Sequence, residues 1–166
     1  MEAVCPFEKK RPSALKKDDE YFMAMAYNRA IDAWRCGETP IGAVAVMGDE
    51  IIASACNSVA RLSDPTAHAE MQVITQSARV VGDWRLNGVT IYVTKEPCPM
   101  CSGAMIMGRV GTVIFGARDA KMGCLGGCFS MQNLSGINHR PVVKSGVLES
   151  ECAALLQEFF AMKRCK

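Results

Sequence analysis

The sequence lacks any apolar run that approaches the roughly 20 residues a membrane-spanning helix needs. It shows no internal repeat and no linker. Its first twenty residues carry clustered basic side chains but no apolar stretch of signal-peptide length, which argues against secretion. We therefore expect an intracellular, cytoplasmic protein, with an organellar location left open. Its 166 residues, of which 49% are hydrophobic, suit one globular domain with a sizeable core.

The chain also lacks the even cysteine number of a disulfide scaffold, since it has nine cysteines. An odd number in a chain of this length argues against a secreted disulfide framework. Most of these thiols are therefore expected to be small buried side chains that stay reduced.

Charge is unevenly placed, although the net charge is only +2. Residues 1–17 hold five basic and two acidic side chains, and the last four residues hold three basic ones. Basic ends attract phosphate backbones, although solvated termini are the plainer interpretation of charge alone. We divide the chain into a flexible basic N-terminal arm, residues 1–17, and a single folded domain, residues 18–166.

Hydrophobic periodicity predicts alternating helices and strands, with part of the sheet parallel. Acidic residues followed by an apolar stripe predict a first helix that ends at Gly37. Thr66 is the predicted N-cap of a second helix. The closing helix predicted at 149–163 has Leu155, Leu156, Phe159 and Phe160 turned inward. The predicted strands are 40–47, 51–56, 89–94, 111–115 and 141–147, and the first two, joined by a turn at 48–50, are predicted to form a hairpin. The predicted later helices are 67–81, 98–109 and 149–163. Residues 116–138 are rich in glycine and are expected to be a functional loop or partly helical.

Two short motifs predict a metal site. Cys98 and Cys101 are separated by two residues at the start of a predicted helix, so both sulfurs can reach one cation. His68 supplies a nitrogen ligand from the start of another helix. Three protein ligands leave one zinc position open for water, and Glu70 is well placed to move that water's protons. The motifs therefore predict a hydrolytic zinc site.

Three other interpretations of these residues stay open. Cys124, Cys128 or His139 would close a purely structural zinc site as a fourth ligand. Cys98 and Cys101 would alternatively form a thioredoxin-like redox pair, although nothing in that motif requires the upstream histidine and glutamate. Cys124 and Cys128 would form a second metal or redox pair, but two soft ligands alone make a poor site.

The pattern His-x-Glu followed by Pro-Cys-x-x-Cys resembles the zinc nucleoside and nucleobase deaminases. Longer segments at 39–44, 64–70, 115–121 and 138–139 resemble the bacterial and organellar tRNA-specific adenosine deaminases, over approximately residues 19–164. The resemblance implies an α/β fold, a three-layer α/β/α sandwich with a five-stranded mixed sheet of the cytidine deaminase type. It also implies hydrolytic deamination of adenosine to inosine at the wobble position of a tRNA anticodon loop. A homodimer, one Zn²⁺ per subunit, no organic cofactor and no membrane association are implied with it.

The resemblance assigns roles residue by residue. His68, Cys98 and Cys101 match the zinc ligands, and Glu70 matches the proton shuttle. Asn57, Ile41 and Ala69 match the pocket for the flipped base, and Asp119 matches a contact to the nucleotide before the target. Positions near the bound RNA strand are matched by Lys121, His139, Phe160 and Arg164. Each has a plainer interpretation: a turn cap for Asn57, a loop carboxylate for Asp119, solvated charges for Lys121 and Arg164, and a core side chain for Phe160.

Some residues depart from the family pattern. Cys124 and Cys128 replace small or polar residues, and Lys95 stands where relatives are often apolar or small. Two rival functions are compatible with the zinc motif. One is a free nucleobase deaminase acting on guanine or cytosine, and the other is an RNA-binding module with a structural zinc and no catalysis.

Overall fold

The computed structural model describes residues 4–164. Five α-helices and five β-strands occur in this part of the chain. The helices are α1 Asp19–Arg35, α2 Val59–Leu62, α3 Ala69–Val81, α4 Pro99–Met107 and α5 Glu149–Arg164. The strands are β1 Gly42–Met47, β2 Glu50–Cys56, β3 Val89–Lys95, β4 Thr112–Ala117 and β5 Val142–Ser145. A short 3-10 helix covers Met131–Asn133.

The strands form one five-stranded sheet in the order β2-β1-β3-β4-β5. β1 pairs antiparallel with both β2 and β3, whereas β3, β4 and β5 are parallel to one another. The sheet is therefore mixed, and the predicted hairpin is its β1–β2 edge. Helix α4 is the crossover between the parallel strands β3 and β4, whereas β4 and β5 are joined by a loop with the short 3-10 helix.

Helices cover both faces of the sheet, because successive strand side chains point to opposite sides. Val44 and Val46 of β1 join one core with α1 and α5. Ala43 and Ala45 of the same strand join a second core with α3 and α4. The three-layer α/β/α sandwich predicted from the sequence is thus confirmed.

Gly42 explains how closely α1 lies on the sheet. A side chain at this position would approach the Ala26 carbonyl oxygen and the Ala30 nitrogen closer than 3.0 Å. Only glycine lets the helix backbone come so near to the first residue of β1.

Two predictions about local structure are wrong. The N-cap of α3 is His68, in an extended conformation, and not Thr66. The backbone N–H and hydroxyl of Thr66 both donate to the Asp64 carboxylate, at 2.8 and 2.7 Å, in a turn before the helix. Phe160 is not turned inward, since its side chain is 44% exposed on α5.

The N-terminal arm has no helix or strand over the described residues 4–17, but part of it lies against α1. The side chain of Asn28 pairs with both backbone groups of Lys10, at 2.7 and 2.9 Å. The ring of Phe7 packs edge-on against Trp34, with centroids 6.1 Å apart. The flexibility assigned to this arm stays a prediction. Cys165 and Lys166 lie outside the described residues.

Candidate active site

The predicted zinc ligands come together where two helices begin. His68 is the N-cap of α3, Cys98 is the N-cap of α4, and Cys101 lies in the first turn of α4. The His68 Nδ1 atom is 3.7 Å from Cys98 Sγ and 3.5 Å from Cys101 Sγ. The three ligand atoms all lie within 4.8 Å of one another. Proline at the first position of α4 directs the chain from the end of β3 into this helix.

The surroundings of Cys98 favour its thiolate, which is the form that binds zinc. Hydrogen bonds from the Cys101 thiol and then from His68 lower the pKa of Cys98 to about 4. The backbone N–H of Cys101 lowers this pKa further, as expected for a sulfur at a helix start. The shared hydrogen bond, followed by burial, raises the pKa of Cys101. Cys98 therefore offers a thiolate to a cation, and a cation would displace the proton of Cys101.

Glu70 completes the site from the first turn of α3. Its side chain is only 3% exposed, and burial raises the pKa of its carboxyl group. The Oε2 atom is buried and has no hydrogen-bond partner within residues 4–164. A buried carboxylate oxygen without a partner is costly unless a further group occupies the space beside it. Two cysteine sulfurs, one histidine nitrogen and this carboxyl group fit a catalytic zinc with an open position.

A fourth protein ligand is absent from this group within the described part of the chain. Cys124 is buried and directs its sulfur to the Met122 carbonyl, at 3.6 Å, while Cys128 is exposed. The Nε2 of His139 lies 2.7 Å from the Val110 carbonyl, near the start of β4 and away from the ligands. The closed structural site considered above is therefore not formed by these three residues.

The residues matched to the base pocket lie beside His68. Asn57 is 6% exposed, and its amide donates to the buried Glu38 carboxylate at 3.1 Å. Ser58 donates its backbone N–H to the Ala67 carbonyl at 3.0 Å, which connects the end of β2 to the residue before His68. Ile41 is half-buried against the α3 and α4 core, and Ala69 is fully buried in it. Their contacts with a base stay a prediction.

Asp119 lies in the loop after β4 and is heavily bonded. Its carboxylate pairs with Lys95 at 2.6 Å and accepts hydrogen bonds from the backbone N–H groups of Lys121 and Met122. The pKa of Asp119 is lowered, since these favourable contacts together exceed the opposing effect of burial. Lys95, which departs from the family pattern, supplies the positive charge that holds this carboxylate.

The remaining residues matched to RNA contacts are solvent-accessible or partly so. Lys121 and Arg164 are exposed, and His139 is half-buried. Phe160 presents an exposed ring that packs edge-on against Phe159, with centroids 5.6 Å apart. The structure does not bring these four into one cluster with the ligands, and their roles stay predictions.

Two buried carboxylates at the site were missed by sequence reasoning. Glu38 orients Asn57 and also accepts the backbone N–H of Arg61 at 2.7 Å. Glu96 follows β3 directly and accepts three backbone hydrogen bonds from a distant loop. The available signal in the sequence was a charged residue next to an apolar run. Such a residue is buried only where hydrogen-bond or ionic partners satisfy its charge.

A family model of MafB19-like deaminases matches residues 17–164. The chain belongs to this deaminase family. Over 148 residues, 89% of this chain and 92% of the relative, the deaminase is 47% identical to a tRNA-specific adenosine deaminase of Bacillus subtilis (strain 168). The family resemblance inferred from the sequence motifs is therefore confirmed.

Solved structures agree with this assignment. The deaminase is 39% identical, with a TM-score of 0.79, to a protein from structural studies of A-to-I editing by tRNA:A34 deaminases at the wobble position of transfer RNA. That match covers 82% of this chain and 99% of the other. A guanine deaminase from Bacillus subtilis is 37% identical with a TM-score of 0.59, over 61% of this chain and 65% of its own. Within residues 4–164, the deaminase has no helix long and apolar enough to cross a membrane.

Proposed function

We propose that this protein hydrolytically deaminates adenosine to inosine at the wobble position of a tRNA anticodon loop. The observation that carries the proposal is the buried Glu70 carboxylate beside the His68, Cys98 and Cys101 donors, with one oxygen that has no partner in the described part of the chain. The 47% identity to a tRNA-specific adenosine deaminase supports the choice of substrate. The guanine deaminase match covers less of the chain at a lower TM-score, so it supports the free-base alternative less well.

One zinc ion per subunit is the cofactor that we propose for the three donors. When bound, zinc would act as a Lewis acid and lower the pKa of the attacking water. Cys98 and Cys101 supply the negative charge that holds the cation, and His68 supplies a neutral nitrogen. No organic cofactor is needed for a hydrolytic step.

Glu70 carries the proton transfers in this proposal. Its raised pKa suits a group that takes a proton from the attacking water and later gives it to the departing ammonia. Burial excludes competing solvent from the carboxyl group, so the proton returns to the substrate and not to bulk water. Glu38 keeps the amide of Asn57 in place for the base that enters beside it.

A loop nucleotide suits a site of this depth. A base inside a helical stack cannot reach buried donors, whereas an unpaired loop base swings outward at modest cost. Asp119 lies on the loop after β4, where we propose that it contacts the nucleotide before the target. The exposed Phe160, Lys121 and Arg164 side chains, with His139, would meet the RNA strand around it.

Purified zinc-loaded protein should convert an anticodon stem-loop with adenosine at the wobble position to inosine. Digestion of the product and chromatography of its nucleosides would measure the conversion. The matched control is the same stem-loop with guanosine at that position, which should remain unchanged. Deamination of free guanine or cytosine without reaction of the stem-loop would favour the free-base alternative. Tight binding of the stem-loop without turnover would favour a non-catalytic module.

We also propose that the enzyme acts as a homodimer through a groove between the C-terminal ends of α3 and α4. The groove has a volume of about 680 Å³ and is lined mainly by apolar side chains, Ile74, Ala78, Trp84, Ala104 and Met107, with Thr75, Arg79 and Asp83 also lining it. Trp84 is 55% exposed and Met107 is 75% exposed, which leaves a contiguous apolar face in a single subunit. Such faces commonly mark protein interfaces, and a two-fold dimer buries the same face twice.

Met107→Glu should convert the dimer to a monomer, because it places a charge in the middle of the apolar face. Sedimentation velocity would measure the change. Leu15→Glu is the matched control, since Leu15 is 98% exposed in the N-terminal arm and should leave the dimer intact. A monomeric wild-type protein, or a Met107→Glu variant that remains dimeric, would contradict this interface. The cytoplasmic location expected from the sequence stays a prediction.

A further inference from the structure

Glu96 is a buried carboxylate that lies between the sheet and the zinc-ligand segment. It follows β3 and precedes Pro97 and Cys98, and its side chain is 2% exposed. Its Oε2 accepts the backbone N–H of Asp119 at 3.0 Å. Its Oε1 accepts the N–H groups of Leu125 and Gly127, at 3.0 and 2.7 Å. Three converging N–H donors stabilise a buried negative charge that would otherwise be costly.

The loop is shaped to fit around this carboxylate. A Cβ atom at Gly123 or at Gly127 would lie closer than 3.0 Å to atoms of the Glu96 carboxyl group. Side chains at these two positions would force the loop away from its anchor. The two glycines therefore permit the hydrogen bonds by allowing close approach of the backbone.

Two further contacts join the same loop to the ligand segment. Lys95, the residue before Glu96, pairs with the Asp119 carboxylate from the other side. The backbone N–H of Cys124 donates to the Pro97 carbonyl at 3.0 Å. Movement of the loop that carries Asp119 is therefore coupled to the chain that leads directly into Cys98.

We propose that Glu96 is a positioning residue that holds residues 118–127 in the conformation that receives the nucleotide preceding the target adenosine. The inference rests on the proposed function and extends it, because Glu96 acts through the loop and touches neither metal nor substrate. In this glycine-rich segment the Glu96 carboxylate, and not a neighbouring strand, accepts the backbone N–H groups of Asp119, Leu125 and Gly127. A neutral residue at this position leaves the loop N–H groups without an acceptor of equal strength.

Glu96→Gln tests the proposal because glutamine keeps the length of the side chain but accepts through one oxygen only. We expect KM for the anticodon stem-loop to rise about tenfold, which corresponds to the loss of one charge-assisted hydrogen bond. We expect kcat to change less, and zinc content and the thermal midpoint to stay close to wild type. A merely structural role would lower the thermal midpoint without selectively raising KM.

Trypsin provides a readout that needs no catalysis. Arg118 and Lys121 are exposed in the loop, so cleavage after them reports how often the loop opens. Cleavage should be about tenfold faster in Glu96→Gln, since opening breaks fewer strong hydrogen bonds. Gly127→Ala should accelerate trypsin cleavage in the same way, because it disturbs the loop side of the hydrogen bond between Gly127 and Glu96. Glu20→Gln is the control, because Glu20 is an exposed carboxylate in the first turn of α1.

The outcomes separate this inference from the proposed function. A wild-type protein that forms no inosine overturns the proposed function, and the trypsin assay still tests the anchor. An active wild type together with unchanged KM and unchanged loop cleavage in Glu96→Gln overturns the positioning role. A rise in KM that Gly127→Ala reproduces, with zinc retained, supports it.

Discussion

Glu70→Ala is expected to lower the rate of inosine formation by at least about 1,000-fold, within the range of a lost general acid and base. The variant removes a buried carboxyl group that interacts with His68, Cys98 and Cys101. Because Glu70 is not one of the three donors, zinc should remain bound. Single-turnover conversion of the stem-loop and metal content of the same sample would measure both effects.

The control for Glu70→Ala is Glu20→Ala, which removes an exposed carboxylate on α1 and should retain wild-type turnover. Glu70 is buried, so truncation also leaves space beside the site, and Glu70→Gln provides a second variant of nearly the same volume. Both variants should lose turnover and keep zinc. Near-normal activity in Glu70→Gln would contradict the role in proton transfer.

Cys98→Ala is expected to release zinc almost completely and to lower the thermal midpoint. The ligand that is lost is the thiol with the pKa of about 4, the group most ready to bind a cation as thiolate. Metal binding and folding are coupled where a site joins separate elements, here the first residues of α3 and α4. Cys101→Ala should behave in the same way. Elemental analysis of dialysed protein and thermal unfolding would measure the two effects.

Cys124→Ala and Cys128→Ala are the matched controls for this experiment. Both cysteines lie in the loop after β4 and outside the donor group, so both variants should keep about one zinc per chain. Full zinc occupancy in Cys98→Ala would show that another thiol replaces it. That result would support the closed structural site and weaken the case for hydrolysis.

Much of the fold was predictable because its signals are local. The β-type runs of β1 and β2 on either side of a turn at Gly48 predicted the hairpin, and the apolar stripe of α1 predicted a long first helix. Thr66 shows the limit of such signals. Thr66 and His68 both precede the helix. Asp64, two residues before Thr66, accepts the hydrogen bond of the Thr66 backbone N–H and holds Thr66 in a turn, so His68 is the N-cap.

Phe160 shows a second limit. Its position beside Phe159 fitted an inward-facing stripe on α5, but a helix presents only part of its circumference to the sheet. Phe159 fills the space against Trp34, with ring centroids 5.0 Å apart, so its neighbour turns to solvent. Tertiary packing sets the rotation of a helix about its axis. Hydrophobic periodicity therefore predicts the inward-facing residue only to within one position.

The sequence by itself predicted the donor set of His68, Cys98 and Cys101, because ligand type and spacing are local properties. Tertiary structure alone decided what Glu96 does, since its hydrogen bonds reach backbone N–H groups 23, 29 and 31 residues away. Glu38 meets Asn57 across 19 residues in the same way. Every residue except proline has a backbone N–H group, so the residue pattern does not show which of these groups a buried carboxylate will contact.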